Sequence, residues 1–303
     1  MVHLDLSRAL AGELTAAGVI ADNDQKNFVS ARISWRGTKL FEDLESEFGE
    51  EVTELREQFV SGLGMGAVAA EFVTAPVPVT PACRRALADL GGLLILSVTA
   101  FDRVLDSGRP PPEVRYSATP VSPPVHGGPL EAWLPSIQTE YFRRLDRLPQ
   151  RQPAIRTLAD SIMRRMYAAE LGSVSPQPAS RSTWWRKNVL PIVMLGLPAW
   201  IAADPFHSSS FFRHLMWLAR LGEFFGWVDD CVDHAEDVIL GQANRIDFRL
   251  RSTSREHLVH WIAAQGKRVL AQWDLASGPP ALRSTFAVIV WSWIENQPAR
   301  AGF

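Results

Sequence analysis

The chain has 303 residues, 47% of them hydrophobic and 21% charged, with a formal net charge of −2. That balance is globular, supplies material for a sizeable core, and gives no sign of a nucleic-acid or anionic-membrane partner. Its two cysteines, Cys83 and Cys231, are too few for a disulfide framework or a zinc site, so a reducing, cytoplasmic setting is expected.

In chain order, MVHLDLSRALAGEL lacks the basic run and apolar stretch of a secretion signal. Beyond it, apolar residues recur three and four apart nearly throughout, and the period-2 alternation of strands is missing. The pattern predicts helices over about 4–18, 24–34, 37–61, 63–73, 80–106, 130–147, 151–172, 183–203, 208–239, 252–272 and 279–295. The two most apolar stretches, Leu87–Phe101 and Asn188–Ala203, fall short of the ~18–20 residues that a membrane span needs. The first holds Asp89 and two glycines, the second Pro191 and Pro198, and both read as buried helices. Ser107–Pro129, with SGRPPPE, TPVSPP and HGGP, predicts a long loop, and Ser173–Ser182 a shorter one. The flanking helices are too apolar to stand alone, so the loops read as lids within one all-α domain spanning residues 1–303. Eleven tryptophans suit either a bulky core or a cavity whose π-faces receive a cation.

Two places crowd acidic residues onto apolar helices. In WVDDCVDHAED, residues 227–237, five of eleven are acidic. At 100° per residue, Leu218, Leu221, Phe225, Val228, Val232, Ala235 and Ile239 form one apolar stripe, edged by Asp229, Asp233 and Glu236. Asp230 and Asp237 lie further round. Gly222 and Gly226 share the face of Asp229 and Asp233, which predicts that something approaches closely there. The second place is the end of RRALADLGGLLILSVTAFDRVLD. Asp102 and Asp106 share a face with Ala88, Gly91, Ile95 and Thr99, in a last turn where the helix dipole disfavours anions. Helical spacing turns Cys231 and His234 away from the Asp229–Asp233 face. Oxygen ligands without nitrogen or sulfur point to a hard cation, Mg²⁺ or Mn²⁺, completed by water and ligand phosphate oxygens.

These residues resemble the trans-isoprenyl diphosphate synthases and class I terpene cyclases, which share an all-helical isoprenoid-synthase fold around a central apolar cavity. LGEFFGWVDDCVD resembles the family's second acidic motif, with Asp229, Asp230 and Asp233. DVILGQANRID resembles its continuation. FDRVLDSGRP resembles the first motif, with Asp102 and Asp106, and WWRKNVLPIV the helix whose lysine, here Lys187, binds diphosphate. The resemblance spans about residues 80–250. It implies that the two motifs clasp three Mg²⁺ ions around the diphosphate of an isoprenyl substrate, with Lys187, Arg109 and Arg245 helping. Homodimers are common in the family. The second aspartate of the first motif is Arg103 here, and the glutamine before the second motif is Gly226. The Gly-Lys…Arg signature that grips isopentenyl diphosphate in elongating enzymes has only a poor counterpart in GTKL, from Gly37.

The reading that follows is a terpene cyclase acting on farnesyl or geranylgeranyl diphosphate. Ser97, Val98 and Thr99 would form a small-residue floor, with Phe225, Gly226, Trp184 and Trp227 around the cavity. Tyr167 and Glu170, in MYAAELG, serve either as base or donor in that cavity or as structural groups. The alternatives are a prenyltransferase using isopentenyl diphosphate or a non-isoprenoid acceptor, a catalytically silent partner subunit, and a helical adaptor.

Overall fold

The computed structural model describes residues 6–20, 23–106, 114–119, 129–173, 180–240, 244–275, 285–287 and 289–290. Most of the two expected loops, Arg109 among them, and most of the expected helix 279–295 lie outside the described residues, as do the side chains of Asp106 and Glu236. Among the described residues every regular element is a helix. In chain order these are α1 (Leu6–Ala16), α2 (Asn23–Phe48), α3 (Arg56–Thr74), α4 (Pro81–Asp106), α5 (Leu134–Asp146), α6 (Pro153–Ser173), α7 (Arg181–Ile201), α8 (Ser208–Leu240), α9 (Arg245–Leu250) and α10 (Arg255–Leu275). Short 3₁₀ turns at Glu50–Leu55 and Leu130–Trp133 lead into α3 and α5. No described helix is long and apolar enough to cross a membrane.

The N-terminal half corrects the expected break near residue 36. One helix runs through Gly37, where a Cβ would stand 1.9 Å from the Val60 carbonyl oxygen of α3. That glycine is a contact point between helices and ends nothing. The chain instead breaks at Gly49, whose φ of 87° is strained for any residue with a Cβ. From α3 the chain turns into α4, and these two helices also meet on small residues: a Cβ on Gly66 would lie 2.2 Å from the Gly91 carbonyl oxygen.

Helix α7 is the centre of the C-terminal half, packed on α4, α6 and α8. It carries Pro191 and Pro198 inside a continuous helix. Each proline removes a helix hydrogen bond and clashes with the turn before it, at a cost of about 3 kcal/mol or more. Burial of almost every residue from Val189 to Ile201 offsets that cost. A polar knot fixes α7 to its neighbours: Trp200 Nε1 donates to His214 Nδ1 at 2.8 Å, and His214 Nε2 donates to the Val73 carbonyl at 2.7 Å. Both ring nitrogens are thus satisfied by a neutral imidazole, and burial pushes the His214 pKa down to about 4.

Two further ionic groups hold the periphery. Glu71 of α3 is buried and held by Arg32 and Arg36 of α2. Arg144 of α5 pairs with Glu140 and lies 3.6 Å from Asp89 of α4. The Asp89 that marked α4 as unfit for a bilayer is thus an internal ion partner.

Candidate functional site

Helices α4, α6 and α8 run toward one end of the bundle, and α7 begins there. Each brings a charged side chain to that end: Asp102 from the last turn of α4, Glu170 from the end of α6, Lys187 from the second turn of α7 and Asp229 from the distal part of α8. Lys187 Nζ lies 3.5 Å from Glu170 Oε2. Burial would lower the Lys187 pKa, but the fields of Glu170, Asp102 and Asp229 outweigh it and hold the ammonium firmly charged. Two carboxylates placed about 125 residues apart in sequence therefore act on the same nitrogen.

The site is short of positive charge. Glu170 is buried, and burial pushes its pKa up to about 7; Lys187 opposes that shift, while Asp102 and Asp229 reinforce it. Its Oε2 is buried with the Lys187 ammonium, at 3.5 Å, as its partner. Asp230 is raised further, to about 8, first by burial and then by Asp229 beside it. Near neutral pH the cluster thus sheds part of its negative charge by holding protons on Glu170 and Asp230. A divalent cation would do the same without protons.

Asp230 faces a different neighbour from Asp229. Its Oδ2 accepts from Trp184 Nε1 at 2.9 Å, and its backbone carbonyl accepts from Asn244 Nδ2 at 2.7 Å. Asn244 caps α9, with Oδ1 accepting from the Ile246 amide at 2.7 Å, and its Nδ2 also donates to Asp237 at 2.7 Å. His234 bonds Asp247 at 2.8 Å. Asp237 and His234 therefore serve to fold α9 back on α8. Asp233 lies one turn beyond Asp229 on α8, half-buried. Asp106 closes α4. Among the described residues, no group of three His, Cys, Asp or Glu side chains forms a ready-made metal cage.

The close approach expected at the glycine pair on α8 is made by the protein itself. A Cβ on Gly222 would stand 2.6 Å from Val189 Cα, and one on Gly226 would stand 2.7 Å from Asn188 Cβ. Helix α7 itself makes the close approach, and it brings the adjacent Lys187 with it. The apolar stripe on α8 is also shorter than expected. Leu218, Leu221, Phe225 and Val228 are buried, Val232 is half-buried, and Ala235 and Ile239 are exposed, because α8 outlasts the core.

The candidate cavity residues divide into two groups. On α4, Ile95, Val98, Thr99 and Asp102 make a half-buried stripe between fully buried neighbours, so solvent reaches an apolar track that ends at a carboxylate. Ser97 is turned away from that stripe: its hydroxyl pairs with Tyr167 Oη at 2.8 Å and donates to the Leu94 carbonyl at 2.8 Å. Tyr167 is fully buried against Phe101, which makes it a structural tie between α6 and α4. Phe225 packs on Phe224 and Phe286. Trp184 and Trp227 contact each other at 5.0 Å. Their faces hold arginines of the same chain: Arg245 lies 5.0 Å from the Trp184 ring, and Arg249 lies 5.3 Å from both Trp227 and Trp261. Arg245, expected near the diphosphate, is thus engaged on an indole.

Sequence reasoning had not paired Glu170 with Lys187 or foreseen the arginine ladder on the indoles. The one local signal for the latter was Asn244 ahead of a short basic helix, an N-cap pattern. No protein-family model matches this chain, and neither a curated protein nor a solved structure matches it.

Proposed function

We propose that the protein is a class I terpene cyclase with an isoprenoid-synthase type of bundle, ionising farnesyl or geranylgeranyl diphosphate and closing the resulting carbocation onto its own chain. The observation that carries this reading is the convergence of Asp102 and Asp229, from the two acidic motifs, on Lys187. An acidic cluster on a lone helix would need nothing more than solvent. Carboxylates from three helices around one lysine form a site whose excess negative charge asks for a cation.

The donor set fits Mg²⁺, which takes one or two carboxylates and completes its shell with water and phosphate oxygens, so a full protein cage is not required. Asp102, Asp106, Asp229 and Asp233 would hold it, with Asp230 sharing one oxygen with Trp184. When bound, Mg²⁺ neutralises charge on a leaving diphosphate as a Lewis acid. Lys187 binds the same anion from the α7 side, its ammonium exchanging Glu170 for a phosphate oxygen. Ile95, Val98 and Thr99 seat the hydrocarbon and keep it from water while the cation is open. Once Lys187 has turned to the phosphate, Glu170 Oε2 is positioned to take up a proton at the end of the reaction.

Two features favour a single-substrate enzyme over chain elongation. Gly37 is sealed against α3, and Lys39 is exposed and paired with Glu42 at 2.9 Å, so GTKL supports no second diphosphate pocket. The test is incubation with Mg²⁺ and each of geranyl, farnesyl and geranylgeranyl diphosphate alone, with volatile products read by mass spectrometry. A hydrocarbon or terpene alcohol from one of the latter two is expected. Turnover only after an acceptor is added would assign the site to a prenyltransferase. Undiminished turnover in Asp102→Ala and Asp229→Ala would reject the metal assignment.

A further inference from the structure

The carboxylate site leaves an open furrow unused, on the opposite flank of α8. Arg220, Glu223, Phe224 and Trp227 of α8 line it together with Trp261, Gln265, Arg268, Val269 and Gln272 of α10, around a volume of about 360 Å³. The α8 positions step by three and four, and so do those of α10, so the furrow is the groove between two helix faces. Trp217 Nε1 donates to the Val269 carbonyl at 3.0 Å, and the Trp227 and Trp261 rings meet at 5.4 Å. The two helices are therefore antiparallel, and the register sets Arg220 opposite Arg268.

Two like charges thus face each other across one end of the furrow, and neither is paired with a carboxylate among the described residues. Glu223, whose Oε1 accepts from Trp185 Nε1 at 2.8 Å, offsets one of them and leaves the furrow lining with one positive charge in excess. The other end is closed by the Trp227–Trp261 pair. Seven residues of helix separate Arg220 from Trp227, a span of about 10 Å. Arg249, 5.3 Å from both indole rings, lines a neighbouring hollow of about 290 Å³ that shares Trp261 with the furrow.

We infer that the α8–α10 furrow is a second binding site, for an organophosphate whose anionic head lies between Arg220 and Arg268 and whose apolar tail reaches the Trp227–Trp261 pair. Paired guanidinium groups suit phosphate oxygens, and the indole wall suits a hydrocarbon or flat ring held about 10 Å away. The site uses none of the residues around Lys187 and stands whatever reaction occurs there.

Calorimetric titration of the full chain with decyl phosphate, below its micellar concentration, tests the site. A second arm measures sedimentation with vesicles containing phosphatidic acid and so separates a free organophosphate from a lipid headgroup. Saturable binding is expected, weakened roughly tenfold or more in Arg220→Gln/Arg268→Gln, because each lost charge-assisted contact is worth over 1 kcal/mol. Arg213→Gln, on α8 outside the furrow, should bind as the parent does. Both arginines are exposed, so the double variant should fold normally, with circular dichroism as the check. Binding only in the vesicle arm, with the same loss in the double variant, assigns the head to a lipid. No saturable binding in either arm, equal binding by the double variant, or equal affinity for inorganic phosphate would overturn the inference.

Discussion

Lys187 Nζ and Glu170 Oε2 stand 3.5 Å apart, with the Glu170 carboxyl buried and Asp102 and Asp229 adding their fields from two other helices. This pair sets the sign of the site's response to pH. Glu170 has a folded pKa of about 7, above the 4.5 of an ordinary glutamate. The folded state holds the proton longer than the unfolded chain, so the group's contribution is complete below about pH 4.5 and is lost as pH rises toward 7. Glu170→Gln should remove that loss. The difference in unfolding free energy between variant and parent is expected to move in favour of the variant by on the order of 3 kcal/mol from pH 4.5 to pH 8. Denaturant titration at both pH values measures it, and an unchanged difference would contradict a buried, proton-holding Glu170.

His214 should act in the opposite direction. Its folded pKa, about 4, lies below the usual 6.5, so its contribution is present above pH 6.5 and disappears as pH falls toward 4. His214→Gln should flatten acid destabilisation across that window. It should also lower stability at neutral pH by about 1–3 kcal/mol, since either Trp200 Nε1 or the Val73 carbonyl loses its buried partner.

At the α7–α8 seam, Gly222→Ala should do more harm than Gly226→Ala. The new methyl at 222 meets the Val189 backbone, whereas at 226 it meets the Asn188 side chain, which can rotate away. A loss of about 1–3 kcal/mol is expected at 222, with less at 226. Thermal unfolding of the two variants checks the order. Gly222→Ala should also weaken any anion held by Lys187, because the displaced helix is the one that carries the ammonium.

Cation and anion binding can be read without turnover. Calorimetry with Mg²⁺ and inorganic pyrophosphate should give binding that Asp102→Asn and Asp229→Asn each weaken roughly tenfold or more, as expected for lost charge-assisted ligands. Asp237→Asn should leave that affinity nearly intact and lower stability instead, since Asp237 accepts from the cap of α9.

Much of the architecture was legible from periodicity alone, because helix after helix repeats apolar residues at three and four. Two acidic helix ends were legible as well, while the fields of Asp102 and Asp229 on Lys187 come from tertiary packing. Gly37 was not: in sequence a glycine marks a break, but here its missing Cβ admits the Val60 carbonyl, a contact that only tertiary packing creates. Gly222 and Gly226 announced a close approach, which α7 makes; which element would arrive is set by tertiary packing. Composition left the indoles between a bulky core and cation receivers. Which cation would arrive depended on α9 folding back, a tertiary event encoded mainly in Asn244.

Under the proposed cyclase reading, the arginines seated on Trp184 and Trp227 bear on any attempt to retune product outcome. In that reading one face of each indole is already taken by a guanidinium, so aromatic swaps at these two positions would loosen the α9 latch before altering product distribution. Diversification is better aimed at the aliphatic track of α4, where changes in bulk would touch the hydrocarbon directly.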